Sequence, residues 1–403
     1  MEDRKKIPAL RFKGFEDEWE EKKLRELAKI NPKGIIPDCF EYVDLESVSG
    51  TRLTGTKPYR SELAPSRAQR VAADGDIFYQ TVRPYQRNNY LFRQVDEKKY
   101  IFSTGYAQLR ANINEEFLFS FLQTDKFVNK VMIRCTGTSY PAINASDLGE
   151  ITIRNAPSRE EQGKIGSLLT ELDNLIALQQ EEYELLKKMK RGYLQKLFPK
   201  KGETVPELRF EGFDGAWEER SLGELLIERN IQMPQSESYP LVSFTVEKGV
   251  TPKTERYERE QLVRGDKLDK VYKVTEFNDI VYNPANLKFG AINRNKLGKA
   301  VFSPIYVTFE MKSSEILPSF MEYIVTNLDF ISYALKFQQG TVYERQSVSP
   351  ENLLSISVKI TQKKEQEKIV LFISEVDTSL NNLKKQIESL KDLKKHLLIN
   401  LFI

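Results

Sequence analysis

The sequence predicts an α+β protein: two mixed α/β domains separated by two long antiparallel coiled-coil helices, with the second half repeating the first. Three observations support this prediction. The phrase PALRFKGFEDEWEE at residues 8–21 returns as PELRFEGFDGAWEE at residues 206–219, with nine identical pairs among fourteen. A long heptad pattern closes each half, and short β-branched and aromatic runs occupy the residues between phrase and heptads.

Length and composition indicate a multi-domain globular protein. One hydrophobic core serves at most roughly 250 to 300 residues, and the chain has 403, so we expect at least two domains. Its 40% apolar and 30% charged residues suffice for packed cores and a solvated surface. The opening MEDRKKIPAL lacks the apolar stretch of a signal peptide, and no apolar run approaches the roughly 20 residues of a membrane span. We therefore expect a cytoplasmic protein with no membrane partner.

The cysteine and histidine content excludes several kinds of site. Cys39 and Cys135 are the only cysteines and lie outside any C-x-x-C spacing, so neither a disulfide framework nor a zinc site is encoded. We expect both to be buried thiols. His396 is the only histidine, which excludes histidine-based metal sites and Ser-His-Asp catalysis. A formal charge of +3 is compatible with a nucleic-acid partner but too small to indicate one.

The two predicted domains, residues 1–157 and 205–360, combine strands with helices. Strands are indicated by YVDLESV, DIFYQTV and YIFST in the first domain, and by PLVSFTV, KVYKV and DIVY in the second. The amphipathic stretches EEFLFSFLQTDKFVNKVM and PSFMEYIVTNLDFISYALKF are each predicted to be helical. The repeat continues here, because GDIFY (75–79) matches NDIVY (278–282) and GTSY (137–140) matches GTVY (340–343).

Long helices are predicted over residues 158–198 and 361–403, which align without a gap over 160–198 and 364–402. Their apolar residues recur at alternating steps of three and four, the spacing of a coiled-coil seam. The first seam is Ile165, Leu169, Leu172, Ile176, Gln179, Tyr183, Leu186, Lys190, Tyr193 and Leu197. The second is Ile369, Ile373, Val376, Leu380, Leu383, Ile387, Leu390, Lys394, Leu397 and Leu401. Ser158 and Glu161 form a predicted capping box, and Thr361 is the predicted N-cap of the second helix.

The lysines in the seam have two interpretations. Lys190 and Lys394 occupy the same seam step, where a polar residue can fix the register of two helices. Alternatively, Met189 and Leu393 take that step and both lysines are solvated. The short linker at 199–204 brings the second domain close to the end of the first helix. If that domain's termini lie together, the second helix returns antiparallel and the halves are related by a pseudo-two-fold axis.

The motifs of common catalytic sites are missing from the sequence. Neither G-x-G-x-x-G nor G-x-x-x-x-G-K-[ST] occurs, and there is no G-x-S-x-G nucleophile elbow. YNPAN (282–286) resembles the Asn-Pro-Pro-aromatic motif of amino-methyltransferases but lacks its second proline and its aromatic residue. The sequence therefore favours recognition over catalysis.

Two polar loops are the candidate recognition elements, because they differ while the scaffold around them repeats. YQTVRPYQRNNY (79–90) follows a predicted strand and holds Arg, Gln and Asn side chains among tyrosines. Arg suits guanine edges in the DNA major groove, and Asn or Gln suits adenine. NPANLKFGAINRN (283–295) follows the matching strand of the second half. Ordinary polar surface loops are the alternative.

The whole arrangement resembles the specificity subunit of type I restriction-modification enzymes. The resemblance covers essentially the entire chain and rests on P-x-L-R-F-x-G-F followed by Trp in both halves, and on TVRPY (81–85), GTSYPAINASDL (137–148) and the E-Q-x-K-I helix starts (161–165 and 365–369). It implies two target-recognition domains that each read half of a gapped double-stranded DNA target. It also implies that the coiled coil sets the gap and docks two modification (methyltransferase) subunits.

The resemblance further implies that restriction (translocase/nuclease) subunits join the assembly. Adenine methylation and DNA cleavage would belong to the partners, which would bind S-adenosylmethionine, ATP and Mg, while this chain carries no cofactor, metal or catalytic residue. The candidate DNA-contacting residues, most of them donor-rich side chains of the two polar loops, are Gln80, Thr81, Arg83, Tyr85, Gln86, Arg87, Asn88, Asn283, Asn286, Lys288, Arg294, Tyr343, Arg345 and Gln346. The second half departs from the pattern where Asn278 replaces glycine, NPANL replaces TVRPY, and YERQSVS replaces YPAINAS.

Two further functions remain open on the sequence. A non-enzymatic coiled-coil adaptor could bind proteins through two globular ends, and sequence-specific binding of a DNA library separates it from a specificity subunit. A self-contained methyltransferase is disfavoured by the missing motifs and would bind its cofactor as an isolated chain.

Overall fold

The computed structural model describes residues 6–246, 248–253, 270–339 and 346–402. The chain divides into two compact units, Met1–Glu182 with Leu383–Ile403 and Tyr183–Asn382. Each unit therefore contains one predicted globular domain together with part of both long helices. The boundary falls inside the helices and not in the 199–204 linker, because each domain packs against the helical segments nearest to it.

Antiparallel pairing dominates the sheets of the first unit, although β10 pairs with β3 in parallel. One sheet has the order β2-β11-β8-β9 and another β6-β3-β10-β7, while β1 pairs with β12 and β4 with β5. The strands are β1 (Glu20–Lys23), β2 (Ala28–Ile30), β3 (Cys39–Val43), β4 (Val48–Ser49), β5 (Arg52–Leu53), β6 (Lys57–Arg60), β7 (Ala68–Val71), β8 (Ile77–Gln80), β9 (Tyr90–Leu91), β10 (Tyr100–Ser103), β11 (Tyr106–Ala111) and β12 (Thr152–Asn155). The helices are α1 (Leu24–Leu27), α2 (Glu115–Leu122), α3 (Asp125–Arg134) and α4 (Ala145–Gly149).

The second unit repeats the central sheet of the first. Its order β14-β22-β19-β20 corresponds to β2-β11-β8-β9, and the pair β13-β23 corresponds to β1-β12. The strands are β13 (Glu218–Ser221), β14 (Leu226–Glu228), β15 (Gln232–Met233), β16 (Val242–Thr245), β17 (Gly249–Pro252), β18 (Tyr272–Thr275), β19 (Ile280–Tyr282), β20 (Ile292–Arg294), β21 (Ala300–Phe302), β22 (Val307–Met311) and β23 (Ser357–Ile360). The helices are α6 (Leu222–Leu225), α7 (Pro318–Val325), α8 (Leu328–Ala334) and α9 (Pro350–Leu354).

The two amphipathic stretches predicted as single helices are each divided in two. α2 ends before Thr124, whose hydroxyl accepts a hydrogen bond from the Phe127 N–H and caps α3. The side chain of Asn327 accepts from the Asp329 N–H and caps α8 in the same way. Continuous helical periodicity concealed both breaks, because a capping side chain offers the backbone another hydrogen-bond partner without disturbing the apolar pattern.

The long helices α5 (Arg159–Lys196) and α10 (Lys363–Leu401) begin and end within two residues of their predicted bounds. The capping predictions were only partly right. The Ser158 hydroxyl accepts from the Glu161 N–H at 3.3 Å, as an N-cap should. The Glu161 carboxylate does not complete the box, because Arg11 engages it. Thr361 is not the N-cap, since α10 begins at Lys363 and the Thr361 hydroxyl donates to the Glu365 carboxylate.

Lysines, not Met189 and Leu393, occupy the shared step of the coiled-coil seam. The side chains of Lys190 and Lys394 are 24% and 19% exposed, whereas Met189 and Leu393 are 42% and 47% exposed. The Lys190 ammonium donates to Asp377 in the second unit. Lys394 makes the equivalent bond to Asp173 in the first. Each lysine thus meets an aspartate of the opposite helix, and the two pairs support an antiparallel register.

The duplicated phrase joins the start of one long helix to the end of the other. In the first unit, Arg11 binds the buried Glu161 at the start of α5 through Nε and a terminal nitrogen, at 2.7 and 2.9 Å. The neighbouring Leu10 N–H donates to the Asn400 carbonyl at the end of α10. Trp19 packs edge-on against Phe402, with ring centroids 6.2 Å apart. These contacts place the two helices antiparallel.

The second unit makes the same set of contacts with the partners exchanged. Arg209 binds the buried Glu365 at the start of α10, at 2.8 and 2.9 Å, and Leu208 N–H donates to the Lys196 carbonyl at the end of α5. Trp217 packs against Phe198, with centroids 5.8 Å apart. The repeat of the phrase is therefore a structural requirement, because each unit has its own junction of helix start and helix end.

The expectation that both cysteines are buried was wrong. Cys39 is exposed and Cys135 is partly exposed. Cys39 is the first residue of β3, whose next residue, Phe40, is buried in the core. Since side chains alternate across a strand, the burial of Phe40 turns Cys39 outward. Within the described part of the chain, no helix is long and apolar enough to cross a membrane.

We predict that Arg11→Ala lowers the free energy of unfolding of the first unit by roughly 3 to 5 kcal/mol, because it leaves a buried carboxylate without its ion-pair partner. Hydrogen exchange of the backbone amides of the first unit, followed across a denaturant series, measures the change. Lys6→Ala is the matched control, since Lys6 pairs with Glu18 on the surface and should contribute less than about 1 kcal/mol. Equally small losses of unfolding free energy in both variants would contradict a stabilising role of the buried Arg11–Glu161 ion pair.

Candidate nucleic-acid interface

The first-domain loop (residues 81–89) leaves the sheet at β8, whose start is fixed by a buried aspartate. Asp76 accepts both Arg110 hydrogen bonds at 2.8 Å and one from the Gln108 side-chain amide at 2.7 Å. Its carboxylate also accepts from the Ala73 N–H. A fully buried carboxylate needs such a set of donors to offset its desolvation. The strand that carries the loop is therefore rigidly placed.

The second-domain loop (residues 283–291) leaves the sheet at β19 with a similar anchor. Arg229 binds the buried Asp279 at 2.8 and 3.2 Å. Burial raises the pKa of the Asp279 carboxyl, and the bond from Arg229 opposes that rise. Asn278 has φ +74°, close to the +81° of Gly75, its counterpart in the first domain. Asparagine tolerates this left-handed conformation better than most residues, which explains how it replaces the glycine.

Several predicted contact residues of the first-domain loop are buried and stabilise the loop itself. Gln80 donates to Gln86 Oε1 at 3.0 Å and accepts from the Asn88 N–H at 3.1 Å. The Thr81 hydroxyl donates to the Gly105 carbonyl at 2.8 Å. The backbone N–H of Gln80 donates to the buried Asn89 side chain. In this conformation, Gln80 and Thr81 determine the shape of the loop and do not present free polar groups.

Arg83 lies where the loop meets the GTSYPAIN segment. Its backbone is left-handed, with φ +54°, and its N–H donates to the Pro141 carbonyl at 2.7 Å. Its guanidinium carbon lies 4.2 Å from the centroid of the Tyr140 ring, a cation–π contact. Tyr140 is 63% exposed, so the stacked pair is accessible from solvent. The two motifs, separate in sequence, form one surface.

The tip of the first-domain loop exposes Tyr85 and Gln86, and Tyr85 is 50% exposed. Arg87 and Asn88 are engaged by other segments of the unit. The Arg87 guanidinium donates to the Gln123 carbonyl at 3.0 Å and pairs with Asp125. Asn88 accepts from the Gly50 N–H at 2.8 Å. Tyr85 and Gln86 are thus the predicted residues of this loop with exposed side chains, and Arg83 is partly exposed beside Tyr140.

The second-domain loop is built differently, as its sequence indicates. Asn283 is buried and accepts from the Ala285 and Asn286 N–H groups at 3.1 and 3.2 Å, closing a turn. Asn286 is exposed, and the Lys288 ammonium lies 5.2 Å from the centroid of the exposed Phe289 ring.

Other predicted contacts of the second domain are occupied or lie elsewhere. Arg294 binds Glu322 at 2.9 Å and Asn278 at 2.6 Å, so its guanidinium is already engaged. Tyr343 and Arg345 lie outside the described residues. Gln346 lies beside a bridge between Gln339 and Ser347.

Equivalent tyrosines behind the two loops differ in hydrogen bonding. Tyr79 and Tyr282 are fully buried, and burial raises the pKa of both hydroxyls, so both remain neutral. The Tyr282 hydroxyl donates to the Val348 carbonyl at 3.1 Å. Among the described residues, the Tyr79 hydroxyl has no hydrogen-bond partner.

The described ranges hold no group of three or more His, Cys, Asp or Glu side chains placed to bind a metal ion. The two aspartates behind the loops, Asp76 and Asp279, are each paired with an arginine. The arrangement suits recognition of a polar surface by arginine, tyrosine and amide side chains.

Comparison with known proteins agrees with this interpretation. Residues 68–188, which include the first-domain loop, match the family described as the type I restriction modification DNA specificity domain. The chain is 29% identical over 140 residues to the HindI type I restriction enzyme specificity subunit of Haemophilus influenzae, an alignment that covers 33% of this chain and 30% of that protein.

The family model and the HindI relative both point to a type I restriction-modification specificity subunit.

A more distant relative is assigned as the MjaX type I specificity subunit of Methanocaldococcus jannaschii, with 21% identity over 283 residues, 64% of this chain and 61% of that one. The chain thus spans less than two thirds of both relatives. The crystal structure of a type I S subunit from M. genitalium matches over 98% of this chain and 99% of its own, with a TM-score of 0.63 and 16% identity. A chain from a study of type I R-M complex assembly matches over 97% and 98%, with a TM-score of 0.56 and 21% identity. These two likenesses show the fold.

Sequence patterns did not identify Tyr140 as a partner of Arg83. The GTSY and GTVY phrases match between the two halves, but nothing in their spacing indicates which loop they contact. The bridge between Val82 and Ala142 makes that connection. A repeated phrase that ends in an exposed aromatic residue, beside a second repeated phrase, is the signal that could have identified it.

We predict opposite outcomes for Tyr79→Phe and Tyr282→Phe. Removing the unpaired Tyr79 hydroxyl should leave stability unchanged or raise it by about 1 kcal/mol, because a buried polar group is lost. Removing the paired Tyr282 hydroxyl should lower stability by about 1 kcal/mol or more. Each variant is the control for the other in thermal or urea unfolding. A destabilised Tyr79→Phe would show that its hydroxyl is satisfied in solution.

Proposed function

We propose that the chain recognises DNA sequence for a type I restriction-modification complex, and that each unit reads one half of a gapped double-stranded target. The observation that carries this proposal is the pairing of repeated scaffold with divergent loops. Asp76 and Asp279 anchor equivalent strands, but the loops that follow present different side chains. Duplicated supports with different contact residues suit a target whose two halves differ in sequence.

In the first domain, Arg83, Tyr85 and Gln86 are the proposed base-contacting residues. Arginine bonds two acceptors of guanine, and glutamine bonds adenine in the major groove. Stacking on Tyr140 restricts the Arg83 side chain before binding, which lowers the entropy lost on contact. Gln80 and Thr81 support the loop from within. In the second domain, Asn286 and Lys288 are the proposed contacts, because Asn283 and Arg294 serve the fold.

The helices α5 and α10 are the proposed docking sites of two modification (methyltransferase) subunits. Both helices expose apolar side chains away from their own seam, including Leu178, Leu185 and Leu371. Apolar residues on the solvent side of a helix are typical of a surface that a protein partner covers. We further propose that restriction subunits join this assembly in the cytoplasm. The partners would carry S-adenosylmethionine, ATP and Mg, and all catalysis.

The second candidate function, a coiled-coil adaptor between proteins, is favoured only by these exposed apolar residues. Selection of a random duplex library by the chain together with its modification subunits separates the two functions. Enrichment of a single gapped motif supports DNA recognition. Recovery of no motif from an intact complex would favour the adaptor.

We predict that Arg83→Ala changes recognition in one half of the target only. Loss of a good base contact should relax one position and weaken binding by about 1 to 3 kcal/mol. Methylome sequencing of cells that express the variant with its modification subunits measures the change. Asn286→Ala is the matched variant and should alter only the other half. Changes in the same half-site for both variants would refute the assignment of one unit to each half.

We predict that the helices set the unread gap. Seven residues inserted between Gln180 and Glu181, with seven more between Lys384 and Lys385, preserve the heptad phase of both helices. Each insertion lengthens its helix by about 10 Å, which corresponds to about three base pairs. The methylated motif should keep both halves and gain about three positions between them. An insertion in α5 alone should instead abolish activity, and an unchanged gap in the active double variant would exclude the spacing role.

A further inference from the structure

An open cavity of about 350 Å³ in the first unit lies between the first-domain loop, the start of α3 and the last turns of α10. Its described lining is strongly basic, with five cationic side chains and one carboxylate. These residues are Arg87, Asp125, Lys126, Lys391, Lys394 and Lys395. Like charges this close repel one another, and the repulsion is relieved when an anion enters.

Three of the five cations already have partners. Arg87 pairs with Asp125, and Lys394 pairs with Asp173 across the coiled coil. Lys126 donates to the Phe402 carbonyl at 3.2 Å. Within the described residues, Lys391 and Lys395 form neither a hydrogen bond nor an ion pair. Four residues apart on α10, they lie on the same face of the helix.

The cavity wall also contains an unused donor. Gln123 is buried and lines the cavity, and its Nε2 atom has no hydrogen-bond partner among the described residues. The first turn of α3 lies beside it, where the helix dipole adds partial positive charge. The last turns of α10 carry the opposite partial charge, which the full charges of its lysines exceed. Two unpaired ammonium groups on one face of a helix suit a phosphate oxygen.

A cavity of the second unit that includes Lys190, the equivalent of Lys394, is neutralised from within. It also measures about 350 Å³ and is lined by Lys190, Arg294 and Lys296, together with Glu322 and Asp377. Glu322 pairs with both Arg294 and Lys296, and Asp377 pairs with Lys190. No cation named here is left without a carboxylate. The two units therefore differ in their capacity to attract an anion.

We propose that the basic cavity of the first unit binds a backbone phosphate of the DNA beside the half-site read by the first-domain loop, through Lys391 and Lys395. This inference rests on the proposed function. Arg87 belongs both to that loop and to the cavity wall, so the cavity lies directly beside the residues proposed to contact bases. A phosphate contact adds affinity and fixes the position of the duplex without specifying its sequence.

The test measures how DNA affinity depends on salt. The full-length chain is titrated with a 40-base-pair duplex of arbitrary sequence at several KCl concentrations between about 50 and 200 mM. One lost phosphate contact should make the slope of log affinity against log salt less steep by about 0.9. We expect this change in K391Q/K395Q. K187Q/R191Q is the matched control, because it removes two charges at the equivalent positions of α5, which do not line the second cavity.

A second arm locates the phosphate and separates DNA from a free anion. Neutral methylphosphonate placed singly along the backbone of the target should weaken binding of the unmodified chain at one position, and the same duplex should bind K391Q/K395Q without further loss. An unchanged salt slope in K391Q/K395Q would overturn the proposal. So would equal slope changes in both double variants, which indicate a general charge effect. Protection of the cavity by inorganic phosphate with no change in the DNA slope would assign it to a free anion instead.

A different result would contradict the proposed function itself and not only the phosphate site. If the unmodified complex methylates no defined motif, DNA recognition itself is wrong. If it methylates a gapped motif that K391Q/K395Q leaves unchanged, and the salt slope is also unchanged, only the phosphate site is wrong. Loss of assembly with the modification subunits at an unchanged slope would identify the cavity as a protein contact and overturn the phosphate proposal.

Discussion

The ion pair between Arg11 and the fully buried Glu161 joins segments of the first unit that are distant in sequence. It fixes the duplicated phrase on the start of α5, while Leu10 of the same phrase binds the end of α10. A buried carboxylate is costly unless its donors are well placed. The segment that carries Arg11 is therefore confined to one position, and the ends of both helices are confined with it. Arg209 and Glu365 impose the same constraint in the second unit.

The coiled-coil seam depends on these junctions and adds its own polar contacts. Lysine at a seam position weakens apolar packing, but pairing with an aspartate of the facing helix penalises any shifted register. The second unit has such a pair in Lys190 and Asp377, and the first unit has one in Lys394 and Asp173. A fixed register matters for a helix pair proposed to determine a gap in DNA, because a shift of one heptad would change the spacing by about three base pairs.

The two loops show how one support can carry different recognition chemistry. Each loop follows a strand that is preceded by a buried aspartate paired with an arginine. A buried polar side chain then closes each loop through hydrogen bonds, Gln80 in the first and Asn283 in the second. Further along, the first loop exposes Arg83 on Tyr140, and the second exposes Asn286. The residues that fold a loop are thus separate from those available for contact. Substitution of the exposed set therefore leaves the support intact.

The sequence by itself determined the repeat, the coiled-coil seam, the ends of the two long helices to within two residues and the main strands, because each depends on local periodicity or on an almost identical phrase. It also located both loops.

Tertiary structure decided what local sequence patterns do not contain. Glu161 pairs with Arg11, 150 residues away, and does not complete a capping box; Thr124 interrupts a helix; and Cys39 faces solvent because Phe40 fills the core. Which loop residues are accessible, and that Lys391 and Lys395 lie beside Arg87, depended on contacts between segments up to about 300 residues apart in the chain. Side-chain burial and charge neutralisation are set by those distant neighbours, so no periodicity in the sequence could reveal them.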